Sequence, residues 1–260
     1  MAIKRNTYVD FREEAPLHLF NPATGITAVV TTATKSAFRT SSGEYFEFYQ
    51  DGQNDQTVLT GGAIGANGWV PPIDDDADSI EITRGVTSAN AKNKFTVGTD
   101  PAFFLRVGGK VGTIARSTCM LFGFRKLAAY ATTAANMATA ITAYTDAAFI
   151  GTDDVAGVVT TKTSNDNSDV TTDLAHAAIA DSTWFSYEIN VSAAGVVTYR
   201  LGTSTASFAA AEAALAADAS AVAFSFDDAE VLVPCMIWLG TNATGINDSS
   251  ILKYECGLAA

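Results

Sequence analysis

The sequence predicts an all-β protein built as a two-sheet antiparallel β-sandwich, with an extended N-terminal arm and a short Ala-rich helical insertion. Three observations predict it. First, the stretch FSYEINVSAAGVVTYRLG puts Phe185, Tyr187, Ile189 and Val191 on one face, turns at SAAG, and resumes with Val197, Tyr199 and Leu201. Period-2 alternation on both sides of a Gly-ended loop is a β-hairpin with one buried face, and Gly195 suits a position needing positive φ. Second, about a dozen such apolar or alternating runs are separated by clusters of Gly, Asp, Asn and Ser, as in packed antiparallel sheets. Third, 48% of the 260 residues are hydrophobic and only 17% charged, with 20 Gly against 6 Pro. That is enough apolar material for a core and too little charge for a disordered chain.

Taken in order, residues 1–34 read as the arm and a lead-in strand, and residues 35–260 as the sandwich domain. The opening stretch to Pro22 carries charge without a period and is expected on the surface or on a neighbouring subunit. Strands are expected at Gly25–Thr32, Tyr45–Gln50, Asp78–Thr83, Lys94–Gly98, Ala102–Gly108 and Thr118–Lys126. Further strands are expected at Asp146–Gly151 and Gly157–Thr163, in the hairpin, and at Ala221–Phe226, Glu230–Gly240 and Ser250–Leu258. Ser207–Ser220 is Ala-rich and reads as a short helix or turn at the sandwich edge. Between Lys126 and Tyr144, Leu127, Tyr130, Ala134, Met137, Ile141 and Tyr144 recur at helical spacing. The Thr content and the flanking strands favour a long loop there, with at most a helical turn.

Net charge is −12, from 28 acidic and 16 basic residues. Such a surface repels phosphate backbones and anionic membranes, so neither nucleic acid nor a membrane is expected as partner. The start, MAIKRNTYVDFREEAP, has no apolar segment behind its cations, so no secretory signal is expected. No window is long and apolar enough to read as a membrane-spanning helix. Cys119, Cys235 and Cys256 each sit in apolar or strand-like surroundings and read as buried, reduced thiols rather than metal or redox groups.

Residues for chemistry are few. His176 follows Asp173 at a spacing that could orient an imidazole, but no nucleophile in a recognisable context accompanies it, and His18 lies in the arm. GGAIGANG, from Gly61, is followed by Trp69-Val-Pro-Pro rather than by a helix, and GGKVGT at Gly108 lacks the phosphate-loop spacing, so both read as turns. In PIDDDADSIE, Asp74, Asp76 and Asp78 alternate like calcium ligands. Ser79 and Gly85 stand where an EF-hand loop needs Gly and Glu, so the run reads as a solvated acidic turn. Glycosidases of sandwich architecture need two carboxylates across a cleft. EYFEF, SIEIT, SYEIN and FDDAE supply no such pair along a strand, and Glu81 and Glu188 are expected on a polar sheet face. Trp69, Trp184 and Trp238 fit core or interface positions better than a sugar platform, with Trp238 inside the sandwich. No catalytic residue, metal ligand or cofactor is assigned.

The strand series carries a resemblance. DSIEITRG, KFTVGTDPAFFLRVGGKV, CMLFGFRK, YTDAAFIG, EINVSAAGVVTYRLG, FSFDDAEVLVPCMIWL and ILKYECGL follow one another from Asp78 to Leu258. Together they resemble a group of virion structural proteins of tailed phages, notably marine ones, whose domain is similar to concanavalin A-like, laminin-G-like or jelly-roll sandwiches. The resemblance implies a non-enzymatic capsid decoration or cement protein, made in the host cytoplasm and placed on the capsid surface of the virion. It implies the major capsid protein as partner and a homo-oligomer, with a trimer favoured because cyclic symmetry can match the shell. Cementing needs wide contacts, about 800 Å² per partner or more. The alternative is a carbohydrate-binding, lectin-like module of a receptor-binding or tail protein. It requires exposed aromatic rings and calcium near Asp74, Asp76 and Asp78. A sugar-active enzyme of the same architecture comes last, for want of the carboxylate pair.

Overall fold

Alternation in the sequence becomes two antiparallel sheets with their apolar faces together. The structure, a computed structural model, describes residues 7–10, 16–20, 34–40, 44–51, 63–71, 79–84, 93–116, 119–127, 144–153, 156–166, 168–239 and 248–259. The strands are β1 (Thr7–Asp10), β2 (Pro16–Phe20), β3 (Thr34–Thr40), β4 (Tyr45–Asp51), β5 (Ala63–Gly65), β6 (Gly68–Val70), β7 (Ser79–Thr83), β8 (Phe95–Thr96) and β9 (Phe103–Lys110). They continue as β10 (Cys119–Lys126), β11 (Asp146–Thr152), β12 (Val159–Asn165), β13 (Ser168–Asp173), β14 (Trp184–Val191), β15 (Val197–Ser204), β16 (Ala216–Ala217), β17 (Val231–Leu239) and β18 (Ser250–Leu258). One α-helix, α1 (Phe208–Ala213), stands among the described residues.

The first sheet runs β16-β15-β14-β9-β18-β6-β5, with β1 also paired to β18. The second runs β13-β12-β11-β10-β17-β7-β4-β3-β2, with β8 also paired to β17. Between them Phe103 and Leu105 of β9, Phe185, Tyr187 and Ile189 of β14 and Phe122 of β10 share one core cluster, all at most 2% exposed. The Phe122 ring joins the layers, with its centroid 5.6 Å from Phe185 in the first sheet and 5.1 Å from Trp238 in its own. Each such side chain contributes about 1.5–3 kcal/mol by leaving water.

The opening hairpin forms as the alternation requires. β14 pairs with β15 from Trp184↔Ser204 to Val191↔Val197, and Gly195 takes φ 84° in the loop. A Cβ at Gly195 would also stand 2.2 Å from the Phe226 carbonyl oxygen, so both conformation and space demand glycine there. The Ala-rich insertion yields α1, whose Ser207 cap accepts a hydrogen bond from the Ala210 N–H at 3.2 Å. Trp238 and the three cysteines are buried, as expected.

Other expectations change. The stretch expected as an extended arm enters both sheets: β1 pairs with β18, and β2 pairs with β3. GGAIGANG is more than a turn, since β5 and β6 pair from Ala63↔Val70 to Gly65↔Gly68. Ala221–Phe226 is no strand; its contribution is a single bridge, Val196↔Ser225. Phe95–Thr96 is a strand of two residues before a turn. β13 was not expected, because SDVTTD is polar on both faces. The expected strand at Gly25–Thr32 and most of the Lys126–Tyr144 loop lie outside the described residues.

Candidate functional site

Four groups of charged side chains are the candidates, and the first lies on the hairpin that dominates the sequence. Glu188 of β14 stands directly between Arg106 of β9 and Arg200 of β15 on the outer face of the first sheet. Arg200 Nη1 donates to Glu188 Oε1 at 3.0 Å, Asn190 Nδ2 to the same oxygen at 2.9 Å, and Arg106 Nε to Oε2 at 2.7 Å. Arg106 also reaches Glu255 at 3.4 Å, and Lys253 lies 3.9 Å from Glu255 and 2.7 Å from Glu212 on α1. Burial alone pushes the Glu188 carboxyl up, but the hydrogen bonds from Asn190, Arg106 and Arg200 outweigh it and hold the group below the ordinary glutamate range. Cation and anion alternate along the row from Arg200 to Glu212. The arrangement ties four strands, β15, β14, β9 and β18, to α1 and leaves no group to act as acid or base.

The second group lies on the outer face of the other sheet. Arg125 Nε donates to Glu81 Oε1 at 2.7 Å, and both side chains are 0% exposed. Glu81 was expected on a polar sheet face; the face it joins is instead buried and largely apolar. Cys235 Sγ lies 3.6 Å from the same Glu81 oxygen, and the Arg125 guanidinium sits 5.2 Å from the Tyr144 ring centre. Cys119, Leu121, Ala147, Phe149 and Ile237 make this a second, smaller apolar cluster. Burial, reinforced by Glu81, pushes the Tyr144 hydroxyl and the Cys235 thiol far above their ordinary ranges. Neither is a nucleophile here.

The third group was invisible to spacing. Lys126, at the end of β10, lies 3.0 Å from Asp146 and 2.7 Å from Glu230. Burial and the neighbouring Asp146 raise the Glu230 carboxyl. Asp146, held by hydrogen bonds from Glu230, Lys126 and the Asp166 N–H against its own burial, is lowered. A carboxyl pair of unequal acidity belongs to glycosidases, which hold theirs about 5 Å apart or more with the sugar bond between. Here the two carboxylates are held on one ammonium, that of Lys126, so a cation and not a substrate bond lies between them.

The fourth group rearranges a sequence expectation. His176 pairs not with Asp173 but with Asp218, Nε2 to Oδ2 at 2.7 Å. Ser220 donates its hydroxyl and its backbone N–H to the other oxygen, Asp218 Oδ1, the N–H at 2.6 Å. The serine therefore points to the carboxylate, whereas a catalytic triad needs it on the imidazole. The group pins one loop to another.

Trp69 and Trp238 are 2% and 1% exposed. Trp184 is half-buried, its ring 6.3 Å from Phe208 of α1 and 5.3 Å from the Lys110 ammonium. Among the described residues no group of three His, Cys, Asp or Glu could hold a metal ion. Asp74, Asp76 and Asp78 lie outside those residues.

No protein-family model matches the chain, and no curated protein matches its sequence. Solved structures similar to it include a protein of unknown function from Shewanella oneidensis MR-1, at 14% identity over 90% of each chain with a TM-score of 0.46. The CBM2 module of an evolved Dit from Lactobacillus casei BL23 phage J-1 is 13% identical over 74% of this chain and 78% of its own, with a TM-score of 0.40. The binding domain of botulinum neurotoxin DC, solved in complex with SialylT, is 9% identical over 84% of this chain and 44% of its own, with a TM-score of 0.36. Likeness at this level carries no argument about function.

Proposed function

We propose that this chain is a non-enzymatic structural protein of a tailed-phage virion, a capsid decoration or cement protein that binds the head shell as a homo-oligomer, with a trimer favoured. The order of strand motifs from Asp78 to Leu258 suggests it. One structural observation supports the scaffold reading over the lectin-like one: none of the three tryptophans is exposed. Trp69 and Trp238 are core, and Trp184 is taken up by Phe208 and Lys110. Sugar recognition needs apolar rings presented to solvent. The charged candidates are engaged with one another, as suits parts of a frame.

The reading is tested by gold-labelled antibodies raised against this chain, applied to tailed-phage particles from lysates that contain it. Regular labelling over heads is expected. Label confined to tails, or absent from particles, overturns it. A glycan array run with and without EDTA checks the alternative, and chelator-sensitive binding would favour a lectin-like module using Asp74, Asp76 and Asp78.

A further inference from the structure

The second sheet ends in an edge that differs from the other strand ends. β13 is its outermost strand and follows β12 through a tight connection, Asn165 pairing with Ser168 and Asp166 at φ 50°. The bond from the Leu174 N–H to the Val159 carbonyl, 2.9 Å, sets the parity of the pairing. Counting back by twos, Thr172, Val170 and Ser168 turn their backbone groups to β12. Asp169, Thr171 and Asp173 turn theirs outward. The strand is accessible: Ser168, Thr171 and Asp173 are exposed, and Val170 is 45% exposed. Among the described residues no strand pairs with this outer edge.

Sheet edges are commonly blunted by proline, a bulge or shortness. At the far end of the same sheet, β2 begins at Pro16 and its register shifts between Pro16 and His18. The edge strand β16 has two residues. β13 has no proline, and its register with β12 is unbroken over six pairs.

What β13 does carry is negative charge. Asp169 and Asp173 share a face with Thr171 between them, and among the described residues neither has an ion pair. The one cation across the ladder, Lys162 opposite Thr171, is 4% exposed and tied to Asp153 at 3.0 Å. This charge selects the partner. Two copies joined antiparallel with Thr171 on the two-fold axis would set Asp169 of each opposite Asp173 of the other, and like charges directly opposite are destabilising. The chain's net charge of −12 adds to that repulsion.

We propose that β13 is a docking edge for an extended segment of a different protein. That segment adds as one more antiparallel strand, with Lys or Arg opposite Asp173 and Asp169 and a β-branched residue opposite Thr171. The inference goes beyond the virion reading and does not depend on where in a particle the chain sits.

The test uses the full chain and two labelled peptides, TVKVTVKVT and TVEVTVEVT, followed by fluorescence anisotropy and amide hydrogen exchange. The lysine peptide is expected to bind at least about tenfold more tightly than the glutamate peptide and to protect the Asp169, Thr171 and Asp173 amides. Thr171→Pro removes an outward N–H but no bond to β12, and should abolish binding with the fold retained. Should that variant not fold, Asp169→Lys with Asp173→Lys serves instead and should reverse the peptide preference. Equal binding of both peptides, no binding of either, or an unchanged preference in the charge-reversed chain overturns the proposal. Concentration-dependent protection of the edge amides in the free chain also overturns it, in favour of a second copy.

Discussion

Glu81 and Glu188 sit in near-identical strand contexts, SIEIT and SYEIN, and end in opposite surroundings. Glu188 shares its charge with Arg106 and Arg200, whose side chains are 29% and 40% exposed, so water screens the group from one side. Glu81 meets Arg125 with both side chains at 0%, beside Tyr144, Cys235 and a small apolar cluster. Alternation decides which face of a sheet a residue joins. It does not decide whether that face is wet.

The comparison breaks first at Arg125. Removing one partner of a buried pair leaves an uncompensated charge, so Arg125→Met should cost about 3–5 kcal/mol in urea unfolding. Glu81→Leu combined with Arg125→Met should recover most of that loss. A single substitution costing under about 1 kcal/mol would show that Glu81 is hydrated after all.

Glu188→Gln should cost less, about 1–2 kcal/mol, because the glutamine keeps some hydrogen bonds and the cations reach solvent. Its cost should shrink in 1 M salt, where the screening length falls to about 3 Å, while that of Arg125→Met stays nearly constant. Equal salt dependence at the two sites would erase the distinction.

Acid offers a further contrast. Glu188, Asp146 and Asp218 have carboxyls lowered by folding, Asp218 through Ser220 and His176 against its burial. A lowered carboxyl contributes stability that is present above its unfolded value and lost as pH falls through the folded one. Glu230 is raised and acts with the opposite sign, favouring the fold at lower pH. The urea midpoint should therefore hold near neutrality and decline below about pH 4.5, the ordinary glutamate value. Glu188→Gln should flatten that decline, and an unchanged profile in the variant would contradict the assignment.

The smallest effect is expected at the thiols. Burial pushes Cys119 up to about 12 and Cys235 well above the ordinary thiol range, so neither should react with a thiol reagent at neutral pH until the chain unfolds. Rapid labelling of Cys235 in the native protein would mean that the outer face of the second sheet opens.

Much of the fold was legible because its strands bury one face. β14, β15 and β18 carry their period openly, β10 and β17 show as near-continuous apolar runs buried on both faces, and Gly195 marks its own turn. β13 was missed because SDVTTD is polar apart from Val170 and an edge strand needs no buried face. Ala221–Phe226 alternates yet forms one bridge, since the bonds that dock it to the hairpin loop also come from turns. The charged groups were legible only as residues. Lys126, Asp146 and Glu230 come from three separate parts of the chain, and His176 takes a carboxylate 42 residues away over one in its own segment. Tertiary proximity of this kind leaves no spacing to detect.

Size-exclusion chromatography with light scattering, with and without EDTA, decides whether the proposed scaffold assembles with copies of itself independently of metal. One stable oligomer, a trimer, unchanged by the chelator, is expected. A monomer, or an oligomer that dissociates in EDTA, would contradict it and turn attention to Asp74, Asp76 and Asp78 as a calcium site.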